Sequence, residues 1–475
     1  MNRRLLTVTD EAVPGSEQPR RRSRRPGRAR RLGLARRLGR ARWTRPPAVA
    51  LAALATVAGA LIGPVNAAEA STGTLGPAAL AQGVRPEDGV FRVTGHGWGH
   101  GRGMSQWGAF AAAKAGRTYP EILRFYYPGT KLVARSTPAQ IRVLLSHDLG
   151  AFRVRPEPGL TLWWTNESGQ TRPVRLPVSY LGCRVSTWRV RAVYRRDMAV
   201  DAYTCGRWHA YVGSGRLSAS GRASFVATDG KVQVERQLGD GTRIRRGYRG
   251  FVRVVLRSGR VRPVNVVPYE DYLRSVVPAE SPASWPRAAL RAQTIAARSY
   301  AVRSSSNRSS SYYDVYDTSA SQVYPGMVGY GATWNVIREY EFAGTNEAIK
   351  ATRGMTLRYA NEAAFTEFGS SNGGWTADGG LPYLRAAQDG WDSAATANPY
   401  RTWTDTVSAR SLRNRYPSIG TIVEIRVAKR SGGGRWGGRV SRLLIIGSSG
   451  TQEIRGEDRV RSVLGLRSAY FAFGS

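Results

Sequence analysis

The sequence lacks the short motifs that mark several large enzyme classes. It contains no HExxH, no GxSxG and no Walker loop, and its glycines between positions 95 and 103 do not have the GxGxxG spacing of a dinucleotide-binding turn. These absences argue against a zinc peptidase, an α/β-hydrolase, a P-loop NTPase and a Rossmann enzyme. No serine stands in a recognisable strained turn that would favour a Ser/His/Asp triad. We predict that the protein uses no cofactor.

Acidic residues are also scarce, with 33 Asp and Glu against 71 Lys and Arg and a formal net charge of +38. Residues 1–45 contain 15 arginines and three acids, a net +12, and the rest of the chain carries the other +26. We predict that residues 1–46 form a disordered, arginine-rich cytoplasmic arm, because their Pro/Gly composition cannot bury a core. Nucleic-acid binding is the alternative interpretation of the arginines. No recognised binding module accompanies them, so we predict no nucleic-acid partner.

An uncharged apolar stretch, Pro47 to Val65, follows this arm and is followed by small-residue cleavage sites after Ala67 or Ala70. Arginines ahead of such a stretch are typical of an export segment. We predict that residues 47–70 are a signal peptide, with a membrane anchor formed by residues 47–65 as the alternative. Everything after about Ala70 should therefore work outside the cytoplasm, and residues 71–89 form an Ala/Gly/Pro linker.

The usual zinc ligands are few, with two cysteines and four histidines. Both cysteines, Cys183 and Cys205, lie in the exported part, where two thiols usually pair, so we predict one disulfide. The alternative is a metal site that joins them to His209. His96 and His100 also have ligand-like spacing, but they lie on a glycine-rich loop rather than on one helix face, and we predict no metal.

Residue patterns after position 90 predict an α+β fold of mostly antiparallel β structure, with one long central helix and a few short helices. Short apolar runs separated by Gly, Asp and Pro predict about seven strands between 136 and 268. Most tryptophans there should be core or sheet-face residues, with stacking on sugar rings as the alternative. We divide the exported chain into a Gly/His-rich motif segment (90–135), a β-rich region (136–268) and a core with a C-terminal sheet extension (269–475). Helices are predicted over 106–113, 119–126, 346–352 and 459–464, and strands over 355–359, 423–427 and 440–446.

The central segment, Tyr269 to Arg303, carries one carboxylate in an unusual place. Glu280 stands between Pro278 and Pro282, which should interrupt regular structure before an alanine-rich helix that runs through Ala301. A carboxylate held on such a rigid support has the position of a catalytic acid. The alternative is that Glu280 only caps the helix. A helix N-terminus also favours the anion, whereas a general acid needs a raised pKa.

These residues resemble the SpoIID/LytB family, named for the stage II sporulation protein D and a wall-amidase modifier protein. The resemblance covers most of residues 90 to 475. It is carried by Glu270-Asp271-Tyr272-Leu273, Val276-Val277-Pro278-Ala279-Glu280, Trp285-Pro286, Ala292-Gln293, Ala296-Ala297-Arg298-Ser299-Tyr300-Ala301, Gln322-Val323-Tyr324, Gly373-Gly374, Thr376 and the loop Gly95 to Ala109, which contains GHGxGMSQWGA.

The resemblance implies a lytic transglycosylase that cuts peptidoglycan glycan strands between N-acetylmuramic acid and N-acetylglucosamine, with Glu280 as its single acid/base. A hydrolase would need a second carboxylate, for which Glu270, Asp271 and Glu367 are candidates. The runner-up is a non-catalytic wall-binding module that modulates a wall amidase. Substrate contacts are predicted for His96, His100, Gln106, Gln293, Arg298, Gln322, Tyr324, Ser370, Ser371, Asn372, Gly373 and Gly374.

Two features depart from the family pattern. Ser281 stands where the family usually has methionine after the glutamate, which places a smaller and polar neighbour beside the site. The GHGxGMSQ loop follows the catalytic helix in many members, but here it precedes that helix. If the fold still brings the loop to Glu280, then His96 or His100 is expected to hold the substrate or to polarise the glutamate.

Overall fold

A computed structural model describes residues 83–135, 137–147, 150–165, 170–193, 197–211, 222–307 and 310–474. The predicted arginine-rich arm, the export segment and the linker up to residue 82 lie outside these ranges. Among the described residues, no helix is long and apolar enough to cross a membrane.

The helices in the described ranges are α1 (Gln106–Lys114), α2 (Tyr119–Tyr126), α3 (Tyr269–Glu280), α4 (Arg287–Ser306), α5 (Ala343–Ala351), α6 (Gly390–Ala394), α7 (Ala409–Arg415) and α8 (Glu457–Leu464). The strands of the first half are β1 (Val90–Gly95), β2 (Met104–Ser105), β3 (Lys131–Ala134), β4 (Gln140–Leu144), β5 (Ala151–Val154), β6 (Thr161–Thr165), β7 (Thr171–Arg175), β8 (Ser179–Tyr180), β9 (Cys183–Arg184), β10 (Thr187–Val193), β11 (Asp197–Thr204) and β12 (Arg207–Tyr211). The later strands are β13 (Arg222–Gln237), β14 (Arg243–Arg257), β15 (Arg260–Pro268), β16 (Val315–Tyr316), β17 (Val328–Tyr330), β18 (Val336–Glu339), β19 (Met355–Tyr359), β20 (Glu362–Ala363), β21 (Phe368–Gly369), β22 (Trp403–Ser408), β23 (Ile422–Arg430), β24 (Val440–Gly447), β25 (Gly450–Arg455) and β26 (Phe471–Phe473).

One large sheet dominates the fold, in the order β12-β11-β10-β5-β13-β14-β15-β4-β16. The long hairpin of β13 and β14 is its centre, and the register of this pair shifts between Val226 and Lys231. On one side of that shift β13 pairs with β6, and on the other it pairs with β5, so the sheet splits there. Every pair in the large sheet is antiparallel except β16 with β4, which confirms the predicted α+β class.

Alternation along the strands explains which face is buried. In β10, Trp188 and Val190 are fully buried, whereas Arg189 and Arg191, which follow them in turn, lie on the other face. Of the other tryptophans in this region, Trp164 is buried, Trp163 is 43% exposed, and Trp208 is partly buried beneath an arginine. The prediction that most of these rings are core or sheet-face residues therefore agrees with the structure.

Helix α4 connects two hydrophobic cores because its small side chains allow close approach on both sides. Ala297 and Ala301 belong to the core under the large sheet. Ala292 and Ala296 belong to a second core with α1, α2 and β19. The sequence predicted this helix, and α4 extends it to Ser306.

A third core joins the two ends of the described chain. Strand β1 lies between β22 and β26, and Phe91 and Val93 are buried with residues of the β23-β24-β25 sheet and α8. Backbone hydrogen bonds of 2.8 Å link Val84 and Ile425 in both directions. Val84, within the predicted linker, is thus part of the fold, and the predicted 90–135 segment shares its cores with residues after 269.

Candidate active site

Glu280 is the last residue of α3, which continues through Pro278. The predicted interruption at this proline is therefore wrong. Pro278 lacks the N–H for one helical hydrogen bond, but the helix still closes after it with a 2.9 Å bond from the Ser281 N–H to the Val277 carbonyl. The next helix begins only at Arg287, after Pro286.

This position resolves the conflict over the glutamate's proton. The C-terminal end of a helix disfavours a negative charge, which is the opposite of the N-terminal effect expected from the sequence. Burial is the main cause that raises the pKa of Glu280 above its usual range, and hydrogen bonds from Val323 and Gln106 partly offset it. The two donors are the Val323 N–H at 3.2 Å and the Gln106 amide at 3.3 Å. Neither belongs to α4, so the interpretation of Glu280 as a cap of that helix is wrong.

The carboxyl group of Glu280 faces a cavity of about 480 Å³. Six chain segments meet there: the Gly/His loop with the start of α1, the end of α3, α4, the loop that follows β16, the segment around β21, and α8. The lining residues are Trp98, Gly99, His100, Arg102, Gln106, Glu280, Tyr300, Ser319, Ala320, Ser321, Val323, Glu367, Phe368, Gly369, Ser370 and Arg461.

The Gly/His loop reaches the cavity through close backbone approaches. Gly97 has φ +75°, and a Cβ there would lie 2.7 Å from the Ser371 carbonyl oxygen. Gly103 has φ +65°, and a Cβ there would collide with the carbonyl of Glu367. Only glycine meets both demands, which explains why this motif segment is rich in glycine. The loop therefore comes to Glu280 although it precedes α3 in the chain.

The two histidines of this loop have different surroundings. His100 lines the cavity, and its Nδ1 accepts a 2.9 Å hydrogen bond from the Arg102 N–H. Burial, with a smaller effect from Arg102, lowers the pKa of His100 to about 4, so it is neutral near pH 7. His96 lies outside the cavity lining, where Nδ1 is 2.6 Å from the Arg401 carbonyl oxygen and its ring packs on Trp436. Only His100 is therefore placed to contact a ligand in the cavity.

The cavity contains a second carboxylate, Glu367, whose surroundings differ from those of Glu280. Both oxygens of Glu367 accept 3.0 Å hydrogen bonds from the Arg102 guanidinium, which also pairs with Asp458 at 3.0 Å. Among the described residues, no Lys, Arg or His group lies within 4 Å of the Glu280 carboxylate. The cavity thus holds one ion-paired carboxylate, Glu367, and one half-buried carboxyl group without a cationic partner, Glu280, whose pKa is raised above its usual range.

Residues 257–359, which contain Glu280 and α4, match the family model described as "Stage II sporulation protein" (SpoIID). The chain therefore contains a SpoIID domain. It is 36% identical over 146 residues to the "Amidase enhancer" of Bacillus subtilis (strain 168), covering 30% of this chain and 17% of that protein. It is 28% identical over 219 residues to the "Stage II sporulation protein D" of the same organism, covering 44% of this chain and 61% of that protein. The matches therefore span less than two thirds of either relative.

Several polar residues of the SpoIID/LytB motifs lie away from the cavity. Arg298 is fully buried and pairs with Glu270 at 2.8 Å. Gln322 is buried between the Tyr272 hydroxyl, which donates to it at 2.9 Å, and the Ala297 carbonyl. These contacts connect α3, α4 and the loop after β16, so they position Glu280 and Val323 rather than line the cavity. Two further predicted contacts, Gln293 and Tyr324, are buried as well, and the Tyr324 hydroxyl donates to Asn265 at 2.7 Å.

The glycine-rich SpoIID/LytB segment from Ser370 to Gly374 reaches the cavity only at Ser370. Ser371 and Asn372 are buried and donate to Asp392 at 3.0 Å and to Asp389 at 2.6 Å. Gly373 and Gly374 provide close backbone approaches, the first to His96 and the second to Ser393. Most of this predicted ligand loop therefore serves to fix the cavity wall.

A buried carboxyl pair, Asp389 and Asp392, was missed from the sequence. Asp392 accepts a 2.6 Å hydrogen bond from Ser105, the N-cap of α1, and Asp389 accepts one of 2.8 Å from Tyr126 in α2. The pair thus fixes α1, which carries Gln106. Neither aspartate stands in a recognisable motif, and no local signal marks them. Arg461 and Tyr300 in the cavity lining were also not predicted as site residues, although Tyr300 stands within a quoted motif.

Cys183 and Cys205 are joined by a disulfide across a sequence separation of 22. His209 pairs instead in the sheet beside Ala202, and Arg207 donates to its ring at 3.3 Å. The alternative of a metal site at these residues is therefore wrong. Within the described ranges, no group of three or more His, Cys, Asp or Glu side chains is arranged to hold a metal ion.

Proposed function

We propose that the protein is an exported cell-wall enzyme, a lytic transglycosylase that cleaves peptidoglycan between N-acetylmuramic acid and N-acetylglucosamine. The observation that carries the proposal is the difference between the two cavity carboxyl groups. Glu367 is neutralised by Arg102, whereas the half-buried Glu280 lies at a helix C-terminus, has no such cationic partner among the described residues and has a pKa raised by desolvation. A single carboxyl group in that state can act first as acid and then as base.

The proposed reaction needs no water and no second carboxyl group. The protonated Glu280 donates its proton to the glycosidic oxygen as the bond from that oxygen to C1 of the muramic sugar breaks. The resulting carboxylate then takes the proton of the C6 hydroxyl of the same sugar, as its oxygen forms a bond to C1 and closes a 1,6-anhydro ring. The N–H groups of Val323 and Gln106 hold the carboxylate oxygens through both steps.

Hydrolysis is less well supported because the second carboxylate is occupied. A hydrolase uses its second carboxylate as a nucleophile or to activate water. In Glu367 both oxygens already accept hydrogen bonds from one guanidinium, so neither is free to attack the sugar or to bind a water molecule without breaking that ion pair. The other two candidates are not cavity-lining residues: Glu270 pairs with Arg298, and Asp271 with Arg274 at 3.5 Å.

The test is incubation of the full chain with isolated peptidoglycan, followed by mass analysis of the released products. We expect 1,6-anhydro-muramyl ends, and their loss in Glu280→Gln, which keeps the size of the side chain but cannot donate and regain the proton. Glu347→Gln, at a partly exposed acid on another surface, is the matched control and should release the same products. New reducing ends in place of anhydro ends would mean hydrolysis and would overturn the proposal.

The "Amidase enhancer" name of one relative favours a second candidate, a wall-binding module that stimulates a wall amidase without cutting glycan. In that case the full chain would sediment with peptidoglycan and release nothing. Stimulation of an added amidase would then be equal for the wild type and for Glu280→Gln. The predicted export is tested separately in cells. N-terminal sequencing of the mature protein should place the cleavage site after Ala67 or Ala70.

A further inference from the structure

The large sheet carries a row of charged side chains on the face opposite its core. Asp201 in β11 lies opposite Arg189 in β10, and Arg189 lies opposite Arg153 in β5. Arg153 lies opposite Glu235 in β13, which lies opposite Arg245 in β14. Directly opposed residues in antiparallel strands project from the same face, so these five side chains form one continuous line across five strands.

Arginine outnumbers acid along this line. Asp201 is buried and is bridged by Arg189 at 2.6 Å and by Arg191 at 2.7 Å. Glu235 is likewise bridged by the arginines on either side of it, at 2.8 and 2.7 Å. Each carboxylate is therefore shared by two guanidinium groups, and the face keeps a net positive charge. The arginine side chains remain between 18 and 37% exposed, which leaves N–H groups available to a ligand.

A tryptophan stands at each end of the row. The guanidinium of Arg189 lies 3.9 Å from the ring centroid of Trp208, and that of Arg153 lies 5.9 Å from it. At the other end, Arg155 lies 5.2 Å from the ring centroid of Trp334. When an arginine packs against an aromatic ring, its planar guanidinium group is already held in one orientation. Less side-chain entropy is therefore lost when that arginine binds an anion.

Trp334 adds an independent indication that this face has a function. It stands in the turn between β17 and β18 with φ +65°, a left-handed conformation that glycine or asparagine adopts at lower cost. Its ring packs on Tyr330 at a centroid distance of 5.6 Å and lies beside the arginines. A strained, bulky residue is expected where its side chain serves a purpose that the turn itself does not require.

We propose that this surface, hereafter the arginine–tryptophan face, binds a linear anionic glycan, with its carboxylates or phosphates on the arginines and its sugar rings against the tryptophans. Its defining residues are Arg153, Arg155, Arg189, Trp208, Arg245 and Trp334. From Asp201 to Arg245 the row crosses four strand spacings, or about 19 Å, which accommodates several sugar units. Because of this length, we expect the face to bind an extended polymer more tightly than a single small anion.

The identification of the ligand as a glycan, rather than another polyanion, rests on the proposed cell-wall function. The inference that the face binds an anion rests only on the geometry of its arginines and tryptophans. None of the six defining residues lines the cavity that contains Glu280. Five of them also precede residues 257–359, which match the family model. The face would thus hold a wall polymer while the cavity acts on a glycan strand, and the two activities can be separated by mutation.

The test is equilibrium binding of the full chain to hyaluronate, a carboxylated glycan, with its uncharged methyl ester as the neutral probe. Two double variants address the face: Trp208→Ala with Trp334→Ala, and Arg153→Gln with Arg155→Gln. The second pair leaves Glu235 bonded to Arg245, so no buried carboxylate loses all its partners. The charge-matched control is Arg92→Gln with Arg287→Gln, since both arginines are exposed and their ion pairs are long, at 3.8 Å.

We expect each face variant to raise Kd for hyaluronate by about ten-fold, which corresponds to about 1.4 kcal/mol. The arginine variant should also reduce the dependence of binding on salt. The control pair should bind as the wild type does, and the methyl ester should bind weakly. An equal loss in the control pair would show that only the overall positive charge matters and would overturn the proposal. Tighter binding of a single-stranded oligonucleotide of equal charge, or unchanged binding by the tryptophan variant, would also overturn it.

The hyaluronate experiment tests the arginine–tryptophan face independently of the peptidoglycan assay, so a negative result in the peptidoglycan assay would not decide it. If Glu280→Gln and the wild type released the same products but the face variants lost hyaluronate binding, the proposed transglycosylase would be wrong and the arginine–tryptophan face would stand. If glycan cleavage depended on Glu280 but the face variants bound normally, the reverse would hold. Unchanged thermal unfolding midpoints in the variants would assign the changes to the surface rather than to the fold.

Discussion

Replacement of Asp389 by asparagine should change how the stability of the protein depends on pH. Asp389 is fully buried, and burial, reinforced by the neighbouring Asp392, raises its pKa from the usual 3.8 to about 6. The side chain accepts four hydrogen bonds, two from backbone N–H groups of α6 and two from Tyr126 and Asn372. These bonds stabilise the anion but do not fully offset its desolvation.

The size and sign of the effect follow from this pKa. Between about pH 4 and pH 6 the folded protein holds a proton on Asp389 that the unfolded chain has lost. The contribution of Asp389 to the free energy of unfolding is therefore fully present below about pH 4 and is lost as the pH rises through 6. A rise of about two pH units corresponds to about 3 kcal/mol, since each unit is worth about 1.4 kcal/mol. Asparagine does not titrate and cannot show this loss.

The assay is urea denaturation at several pH values between 4 and 8. We expect the free energy of unfolding of the wild type, relative to that of Asp389→Asn, to fall by about 3 kcal/mol across this range. Asp378→Asn, at an exposed aspartate, is the charge-matched control and should give a curve parallel to the wild type. Parallel curves for wild type and Asp389→Asn would refute the reasoning, because they would mean that Asp389 titrates normally in the folded protein.

Two further predictions concern the site. Because the Gln106 amide donates to the Glu280 carboxylate and so lowers its pKa, Gln106→Ala should raise that pKa. The alkaline limb of the pH–rate profile of glycan cleavage should then move to higher pH, and an unmoved limb would contradict this role. Arg298→Met would leave Glu270 without its buried partner and should lower the free energy of unfolding by about 3 to 5 kcal/mol, measured by urea denaturation. Adding Glu270→Gln should restore part of the loss, and no recovery in the double variant would contradict the proposed pairing.

Much of the fold could be predicted because its signals are local. Helix α2 has the predicted bounds, 119–126, and α1 differs by one residue, since apolar spacing and a serine cap mark its start. The strand pattern before residue 268 indicated antiparallel sheets, since alternation and turn residues are also local. Which strands become neighbours was not predictable in this way, because β13 changes partners along its length and β1 pairs with strands more than 300 residues away.

The candidate site was predicted only in part because a polar residue type does not show whether its side chain is buried or lines a cavity. His100, Gln106 and Ser370 line the same cavity as Glu280. Gln322 belongs to equally specific motifs but is buried, and it bonds another buried side chain. A polar residue within an apolar helix or motif can contact a ligand, or it can satisfy another buried group, and the sequence does not distinguish the two cases.

Pro278 illustrates an error with a functional consequence. Read as a helix breaker, it placed Glu280 before a helix and made the raised pKa of an acid hard to explain. In the structure α3 tolerates the proline in its last turn, and the carboxyl group lies at the negative end of the helix. A glutamate before the start of a helix is stabilised as the anion, whereas a glutamate at the end of a helix is destabilised as the anion. Whether the last turn of α3 forms therefore decides the direction in which the helix shifts the pKa of Glu280.

The place of the Gly/His loop in the fold is set by the strands on either side of it, and not by its position in the chain. Strand β1, just before the loop, pairs with β22 and β26, and β2, just after it, pairs with β21. All three partners belong to residues after 360, so the loop is fixed at both ends by the C-terminal part of the fold. A loop placed after α4 in the chain could occupy the same space if its flanking strands kept these pairings. The altered motif order is therefore compatible with an intact site, because strand pairing, and not sequence order, carries His100 and Gln106 to Glu280.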